Sequence, residues 1–180
     1  FSLFTASGYD FIEINLEYDP AANPLVLNWA DSILKAYPNR RAIVTSHYFL
    51  NPDNTFGPQG QATFDHLNNN PNLFLLLCGH RPGEGFRTDT VNGNIIYTIL
   101  SNYQSRPVGG NGWIKILEFQ PELNKISVKT YSPLLDMYET DGDSEYTINY
   151  NMTPEYQLLD SVVVPAGSNA SYLWSGLQMD

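Results

Sequence analysis

Two histidines, His47 and His80, each follow a short apolar segment that has the composition of a buried strand. Residues 42–46 (Ala-Ile-Val-Thr-Ser) end directly before His47, and residues 73–78 (Leu-Phe-Leu-Leu-Leu-Cys) are separated from His80 by Gly79 alone. In an open α/β sheet, ligands bind at the carboxyl ends of the strands. Imidazole is a common ligand of zinc, manganese and iron ions. The spacing therefore predicts a metal site with two histidines, and Gly79 is expected to let the backbone turn just before the second imidazole.

Each histidine also has an interpretation without a ligand. A single histidine at a strand end is most often a hydrogen-bonded surface residue, and the spacing of His47 and His80 leaves both interpretations open. His66 lies in a helix-like segment and is interpreted as a solvated helix residue. Cys78 is the one cysteine of the chain and ends an apolar segment, so it is interpreted as a buried, unreactive thiol.

The elements that must position the histidines alternate between strand and helix. Alternating apolar and polar residues predict a half-buried strand, and apolar residues three or four positions apart predict an amphipathic helix. In chain order the predicted elements are a strand (9–18), a helix (23–38), a strand (42–46), a helix (61–70) and a strand (73–78). This order indicates an α/β sheet with parallel neighbours.

The sequence after residue 85 changes to β and turn character. The alternating segments are 93–103, 112–120, 125–133 and 144–151. Gln-Pro-Glu-Leu-Asn-Lys, between the second and third, is a typical hairpin connection. We therefore predict an α/β (α+β) fold, in which a mixed sheet with two helices is followed by a β meander packed on that sheet. Residues 1–150 are assigned to one domain, and residues 151–180 to a linker and the start of a β-sandwich-like module.

The composition of the chain limits its partners. The 180 residues include 19 acidic and 9 basic side chains, which give a formal net charge of −10. This charge repels phosphate backbones and anionic lipids at long range, so we expect no nucleic-acid binding. No apolar run approaches the length of a membrane span. The chain starts at Phe1, without methionine, in an extended segment, and we interpret it as a piece of a longer protein.

Three segments together resemble the C-terminal half of calcineurin-like metallophosphoesterases. They are NWADSILKAYPNRRAIVTSHYFLN, NNPNLFLLLCGHRPGEG and YTILSNYQSRPVGGNGWIKILEFQPELNKISVKTYSP. The resemblance extends over about residues 9–150. It is strongest to a bacterial secreted branch of the family, in which the Tyr-Gln and Gly-Gly-Asn-Gly-Trp segments recur.

The resemblance implies a two-metal hydrolase with an αββα sandwich, acting on phosphate mono- or diesters. In such a site two Zn, Mn or Fe ions orient and ionise a water that attacks phosphorus. His47 matches the histidine after the family's Ile-Val-x-Ser-His strand, and His80 matches the first histidine of its Gly-His-x-His motif. In the family both of these histidines are ligands of the second metal, and the resemblance implies the same role for His47 and His80. The resemblance also implies an extracellular or periplasmic location.

The sequence departs from the family in two ways. Pro82 occupies the position of the second histidine in Gly-His-x-His, so a ligand of the first metal is missing. Glu84 is a candidate replacement, although we interpret it as a plain loop carboxylate. The Asp-x-His, Gly-Asp-x-x-Asp and Gly-Asn-His motifs that normally come first do not occur upstream of His47, and Gly-Asp-Ser-Glu-Tyr (142–146) is interpreted as a solvated turn. Because two protein ligands are fewer than a tight site uses, we predict that this chain alone is catalytically inactive.

Two arginines are candidates for binding a phosphate group. Arg81 and Arg87 have the guanidinium that recognises phosphate oxygens through paired hydrogen bonds. Arg81 is the better candidate because it directly follows His80. The alternative for both arginines is an exposed side chain without a ligand.

Three further residues are candidates for the wall of the substrate cleft. The glycine-rich loop 109–112 is expected to bring Asn111 and Trp113 near the mouth of the metal site. Tyr103, with Gln104 beside it, ends a strand-like segment and either faces the cleft or packs in the core.

Two functions are consistent with these observations. The first is one part of a metal-dependent phosphoesterase, which supplies the second-metal histidines and requires the N-terminal half of the domain as its partner. The second is a non-catalytic binding or structural domain on a degenerate metallophosphoesterase scaffold, an alternative that Pro82 favours.

Overall fold

A computed structural model describes residues 1–152 of the chain. Helix α1 spans Pro24–Ala36 and helix α2 spans Pro58–Leu67. The first sheet contains β1 (Ser2–Ala6), β2 (Tyr9–Leu16), β3 (Arg41–Ser46), β4 (Leu73–Cys78), β5 (Gly83–Val91) and β6 (Asn94–Asn102). The second contains β7 (Ile114–Gln120), β8 (Lys125–Ser132), β9 (Met137–Glu139) and β10 (Tyr146–Asn149). The module predicted for 151–180 lies outside the described residues, except for its first two.

The first sheet is mixed, with a parallel centre. Its strand order is β1-β2-β3-β4-β6-β5. The four strands β2, β3, β4 and β6 run parallel, and the two edge strands pair antiparallel to their neighbours. The mixed α+β fold predicted from the sequence is therefore confirmed at this level. The four parallel strands have their carboxyl ends at the same end of the sheet, and we call this end the rim.

The β-rich second half is divided between the two sheets. The segment predicted as the first strand of the meander is β6, which joins the first sheet beside β4. Strand β5, which starts at the Gly-Glu-Gly sequence and pairs antiparallel with β6, is absent from the prediction. Alternation of residue types indicates a strand but not its partner, so the sequence could not assign β6 to a sheet. The predicted hairpin between β7 and β8 is confirmed.

The helices start where proline and a cap permit. In α1, the side chain of Asn23 accepts a hydrogen bond from the N–H of Leu25, and Pro24 occupies the first turn, where its missing N–H costs nothing. The helix ends at Ala36, and Tyr37 is its C-cap, directly before Pro38. Helix α2 also begins at a proline, Pro58, but has no side-chain cap; its start lies three residues before the predicted one.

Strand β4 is buried on both faces. Leu73 and Leu76 pack with the helices on one face, whereas Phe74 and Leu75 pack with the second sheet on the other. Two consecutive residues share a face because the pairing with β3 shifts by one residue at Phe74. The described residues therefore form three layers: the helices, the first sheet and the second sheet.

Helix α2 approaches the segment after β3 closely at Gly60. A Cβ atom on Gly60 would lie 2.1 Å from the carbonyl oxygen of Phe49. Gly60→Ala is therefore expected to destabilise the fold by about 1–3 kcal/mol, although alanine favours helix. Gly142→Ala is the control, because no atom lies within 4 Å of a Cβ there. Chemical denaturation compares the two, and equal stabilities would contradict the close packing.

Candidate functional site

The two histidines meet at the rim. His47 follows β3, and His80 lies two residues beyond the end of β4. The Nδ1 atom of His80 lies 2.9 Å from the Nε2 atom of His47, and the ring centroids are 4.7 Å apart. One nitrogen donates the hydrogen bond and the other accepts it, so at least one facing nitrogen carries no proton. The sequence prediction that these side chains converge is therefore confirmed.

The backbone turn before the second imidazole is centred on His80, not on Gly79. His80 has a φ of 67°, whereas Gly79 is not among the residues with positive φ. The N–H of Arg81 donates to the carbonyl of Gly79 at 2.9 Å, which makes His80 the central residue of a three-residue turn. A Cβ on Gly79 would lie 3.4 Å from the carbonyl oxygen of Ser101 on β6, which is an ordinary van der Waals contact, so neither the backbone angle nor the space requires glycine there.

Two tyrosines surround the imidazole pair, and the sequence analysis missed both. Tyr18 follows the end of β2 and is stacked on His80 with ring centroids 5.5 Å apart; its edge contact with His47 measures 5.3 Å. The ring of Tyr48 lies 4.9 Å from that of His80. The predicted strand 9–18 included Tyr18, whereas β2 ends at Leu16. If the strand had been predicted to end at Leu16, Tyr18 would have been expected at the rim, because residues that follow the carboxyl ends of parallel strands lie there.

Glu84 is a buried strand residue, not the plain loop carboxylate that we expected. It lies in β5, and its side chain is 4% exposed. Its Oε1 accepts hydrogen bonds from Lys115 (2.7 Å), Tyr103 (2.8 Å) and Thr130 (2.7 Å), and its Oε2 accepts from Arg106 (3.2 Å) and Ser144 (2.8 Å). Both oxygens are thus occupied by donors of this chain, and Glu84 does not replace the histidine that is missing at Pro82.

The donors around Glu84 determine its charge. Burial raises the pKa of Glu84, but the hydrogen bonds, led by that from Lys115, outweigh burial and lower the pKa from 4.5 to about 2. Lys115 is equally buried, with 4% of its side chain exposed, and its Nζ also donates to the carbonyl of Asp143 at 2.7 Å. Because Lys115 lies on β7, this ion pair joins the first sheet to the second.

The predicted phosphate-binding arginines have different environments. Arg81 is exposed, and its guanidinium carbon lies 5.2 Å from the centre of the Tyr48 ring, beside the imidazole pair. Arg87 forms two hydrogen bonds of 2.7 Å with the carboxylate of Asp89. Arg81 therefore remains the candidate phosphate ligand, and Arg87 is engaged within the chain.

The predicted cleft residues differ in burial: Tyr103 is buried, whereas Asn111 and Trp113 are half-buried. The hydroxyl of Tyr103 donates to Glu84, and the residue is buried, which agrees with the packing role that the sequence left open. Asn111 has a φ of 47°, and its carbonyl accepts a hydrogen bond from Ser132. Trp113 lies 5.7 Å from the guanidinium carbon of Arg106. A substrate contact by Asn111 stays a prediction.

The other side chains that the sequence analysis considered for a chemical role are not part of the imidazole pair. His66 is half-buried on α2. Burial raises the pKa of the Cys78 thiol, whose sulfur accepts a hydrogen bond from the N–H of Leu50 at 3.3 Å, in agreement with an unreactive thiol. In the Gly-Asp-Ser-Glu-Tyr turn, Ser144 is buried against Glu84, so this turn is less solvated than expected.

Two features were sought in residues 1–152, the part of the chain that the structure describes: a metal-binding group and a membrane-spanning helix. Among these residues, no group of three or more His, Cys, Asp or Glu side chains has the arrangement needed to hold a metal ion, so the imidazole pair brings two donors. No helix in the same part of the chain has the length and apolar character required to cross a membrane.

Comparison with known proteins shows one distant similarity. No family model matches the sequence. The chain is 25% identical, over an alignment of 175 residues that covers 89% of the chain, to a protein described as uncharacterized protein YvnB of Bacillus subtilis (strain 168). The chain spans 13% of the length of that relative. The metallophosphoesterase family therefore stays a prediction from the motifs.

Removal of the buried ammonium group of Lys115 is expected to lower the stability of the fold. Lys115→Met leaves Glu84 ionised and buried without its main partner, so we expect a loss of about 3–5 kcal/mol in the free energy of unfolding. Lys129→Met is the matched control, because Lys129 and Glu118 lie 3.7 Å apart with side chains 39% and 54% exposed; the expected loss there is below about 1 kcal/mol. Urea denaturation of both variants measures the difference, and similar losses would refute the assignment.

The depressed pKa of Glu84 also predicts how stability depends on pH. Because the folded value is below the unfolded one, the stabilisation is complete above pH 4.5 and is lost as the pH falls from 4.5 towards 2. The difference corresponds to about 3 kcal/mol. Denaturation at pH 7, 4 and 3 should show about 2 kcal/mol of this loss by pH 3 in the natural sequence, and a smaller loss in Glu84→Gln. Parallel losses in both proteins would contradict the prediction.

Proposed function

We propose that the chain is part of a metal-dependent phosphoesterase that hydrolyses phosphate mono- or diesters, and that His47 and His80 are ligands of the second of its two metal ions. One observation carries this proposal: the facing imidazole nitrogens lie 2.9 Å apart at the carboxyl ends of two adjacent parallel strands. An extracellular or periplasmic location is part of the proposal and is supported by the motif resemblance.

The donor set fits a zinc, manganese or iron ion. Two nitrogens that each lie about 2.0–2.1 Å from one zinc ion are about 3.3 Å apart in a tetrahedral site. The nitrogens of His47 and His80 need to separate by only a few tenths of an ångström to reach that distance. Neutral imidazole suits all three ions. The remaining ligands would come from the N-terminal half of the domain, which is the partner that this proposal requires.

The layered architecture is compatible with the proposed family. The helices α1 and α2 cover one face of the first sheet, and the second sheet covers the other. A further helical layer on the outer face of the second sheet would complete an αββα sandwich. The two histidines lie at the rim of the first sheet, where loops from parallel strands meet.

The residues of this chain have distinct roles in the proposed reaction. When bound, the metal ions would supply an ionised water and neutralise charge on the phosphate. His47 and His80 would hold one ion through their facing nitrogens. Arg81, exposed beside them, has the guanidinium that forms paired hydrogen bonds with phosphate oxygens.

Zinc titration of the 180-residue chain tests the histidine assignment. We expect isothermal titration calorimetry to detect one weak site, because only two protein ligands are present. His47→Ala and His80→Ala should each weaken binding by about 10-fold or more. His66→Ala is the control, since His66 lies on α2. Equal zinc affinity in all four proteins would overturn the proposal. Phosphatase assays with zinc, manganese or iron should detect no turnover by this chain alone, and measurable turnover would contradict the need for a partner half.

Pro82 favours a second candidate, a non-catalytic binding or structural domain on the same scaffold. Proline has no side-chain donor at the position where the family has a metal ligand. Metal analysis of the longer protein separates the candidates. Two equivalents of metal per chain support the hydrolase, and one or none supports the binding domain.

A further inference from the structure

We propose that Asn102 and Tyr18 are positioning residues that hold the ring of His80 against His47. Asn102 acts on the backbone of His80, and Tyr18 acts on the face of its ring. This inference concerns the orientation of one imidazole in the folded chain. Only its consequence for metal affinity rests on the proposed function.

The conformation of His80 requires external support. Its φ of 67° is unfavourable for a residue with a side chain, and the central position of a three-residue turn with positive φ is strained. Such a conformation persists only where surrounding contacts determine it. If this backbone relaxed, the ring would leave the position in which its Nδ1 faces His47.

Asn102 supplies the backbone contact. Its side-chain amide donates to the carbonyl of His80 at 2.7 Å, and its Oδ1 accepts from the N–H of Gln104 at 3.1 Å. Asn102 is the last residue of β6 and is 8% exposed, so its amide is held in a fixed direction. One side chain therefore joins the loops that follow β4 and β6, and it holds His80 in its left-handed conformation.

Tyr18 supplies the ring contact. The interplanar angle between Tyr18 and His80 is 26°, which is a stacked arrangement, whereas the angle between Tyr18 and His47 is 73°, an edge arrangement. Stacked and edge contacts of this kind are favourable orientations for aromatic rings. Because a single tyrosine touches both imidazoles, it restricts the angle between them. The ring of Tyr48 also contacts that of His80, whereas the ring contacts of His47 in the described part of the chain are with Tyr18 and His80.

Nitrogen NMR of the histidine side chains tests the proposal without any metal. In the natural sequence we expect distinct ring-nitrogen signals from His47 and His80, of which one facing nitrogen is protonated and the other is not. In Asn102→Ala and Tyr18→Leu both rings should shift towards the values of averaged tautomers. Zinc affinity should fall about 10-fold in Asn102→Ala and about 3- to 10-fold in Tyr18→Leu.

Matched variants separate positioning from general stability. Asn94 lies at the other end of β6, and its amide donates to the carbonyl of Leu73, the first residue of β4, at 2.8 Å. Asn94→Ala therefore removes a similar hydrogen bond between the same strands and should leave the ring signals and zinc affinity unchanged. Tyr18→Phe keeps the aromatic ring and should behave like the natural sequence, whereas Tyr18→Leu should not.

The outcomes distinguish this inference from the proposed function. Natural ring signals in folded Asn102→Ala or in Tyr18→Leu would overturn it. If Asn102→Ala does not fold, the pair of Tyr18 variants decides. Shifted ring signals in the variants, together with no zinc binding by the natural sequence, would support positioning of His80 and refute the metal site.

Discussion

Burial of β4 on both faces is the constraint on which the other features depend. A strand with apolar residues on each side is stable only between two covering layers, here the helices and the second sheet. This requirement places β4 at the centre of the first sheet, with β3 and β6 parallel on either side. The three strands therefore end at the same rim. The chain leaves β4 through Gly79 and reaches His80 within two residues, so the position of that imidazole follows from the core.

The rim is supported by polar contacts as well as by the core. Asn102 and Tyr18 hold His80 from the ends of the two outer parallel strands, β6 and β2. Four residues after His80, the buried carboxylate of Glu84 receives five hydrogen bonds: two from Lys115 and Thr130 on the second sheet, and three from Tyr103, Arg106 and Ser144 in connecting segments. A buried carboxylate is costly unless it is paired, and Lys115 supplies the charge that compensates it. The segment from His80 to Glu84 is thus fixed at both ends.

This arrangement connects the fold to the proposed chemistry. Two imidazoles whose nitrogens already face each other lose little conformational freedom when they bind one ion, which favours binding. The strain at His80 is typical of a site in which backbone geometry has been fixed to orient a functional side chain. The chain brings two imidazoles and an exposed arginine to the rim.

Local residue patterns were sufficient to predict the first elements and the convergence of the two histidines. Periodicity predicted β2, α1, β3 and β4, and parallel pairing then required His47 and His80 to meet, because side chains at the carboxyl ends of neighbouring strands share one edge. Three features are visible in the folded chain and not in the residue patterns: the sheet that β6 joins, the contacts of Tyr18 and Asn102 with His80, and the burial of Glu84. The donors Thr130 and Ser144 lie 46 and 60 positions from that carboxylate. Contacts over such distances depend on how layers pack, and no local pattern encodes them.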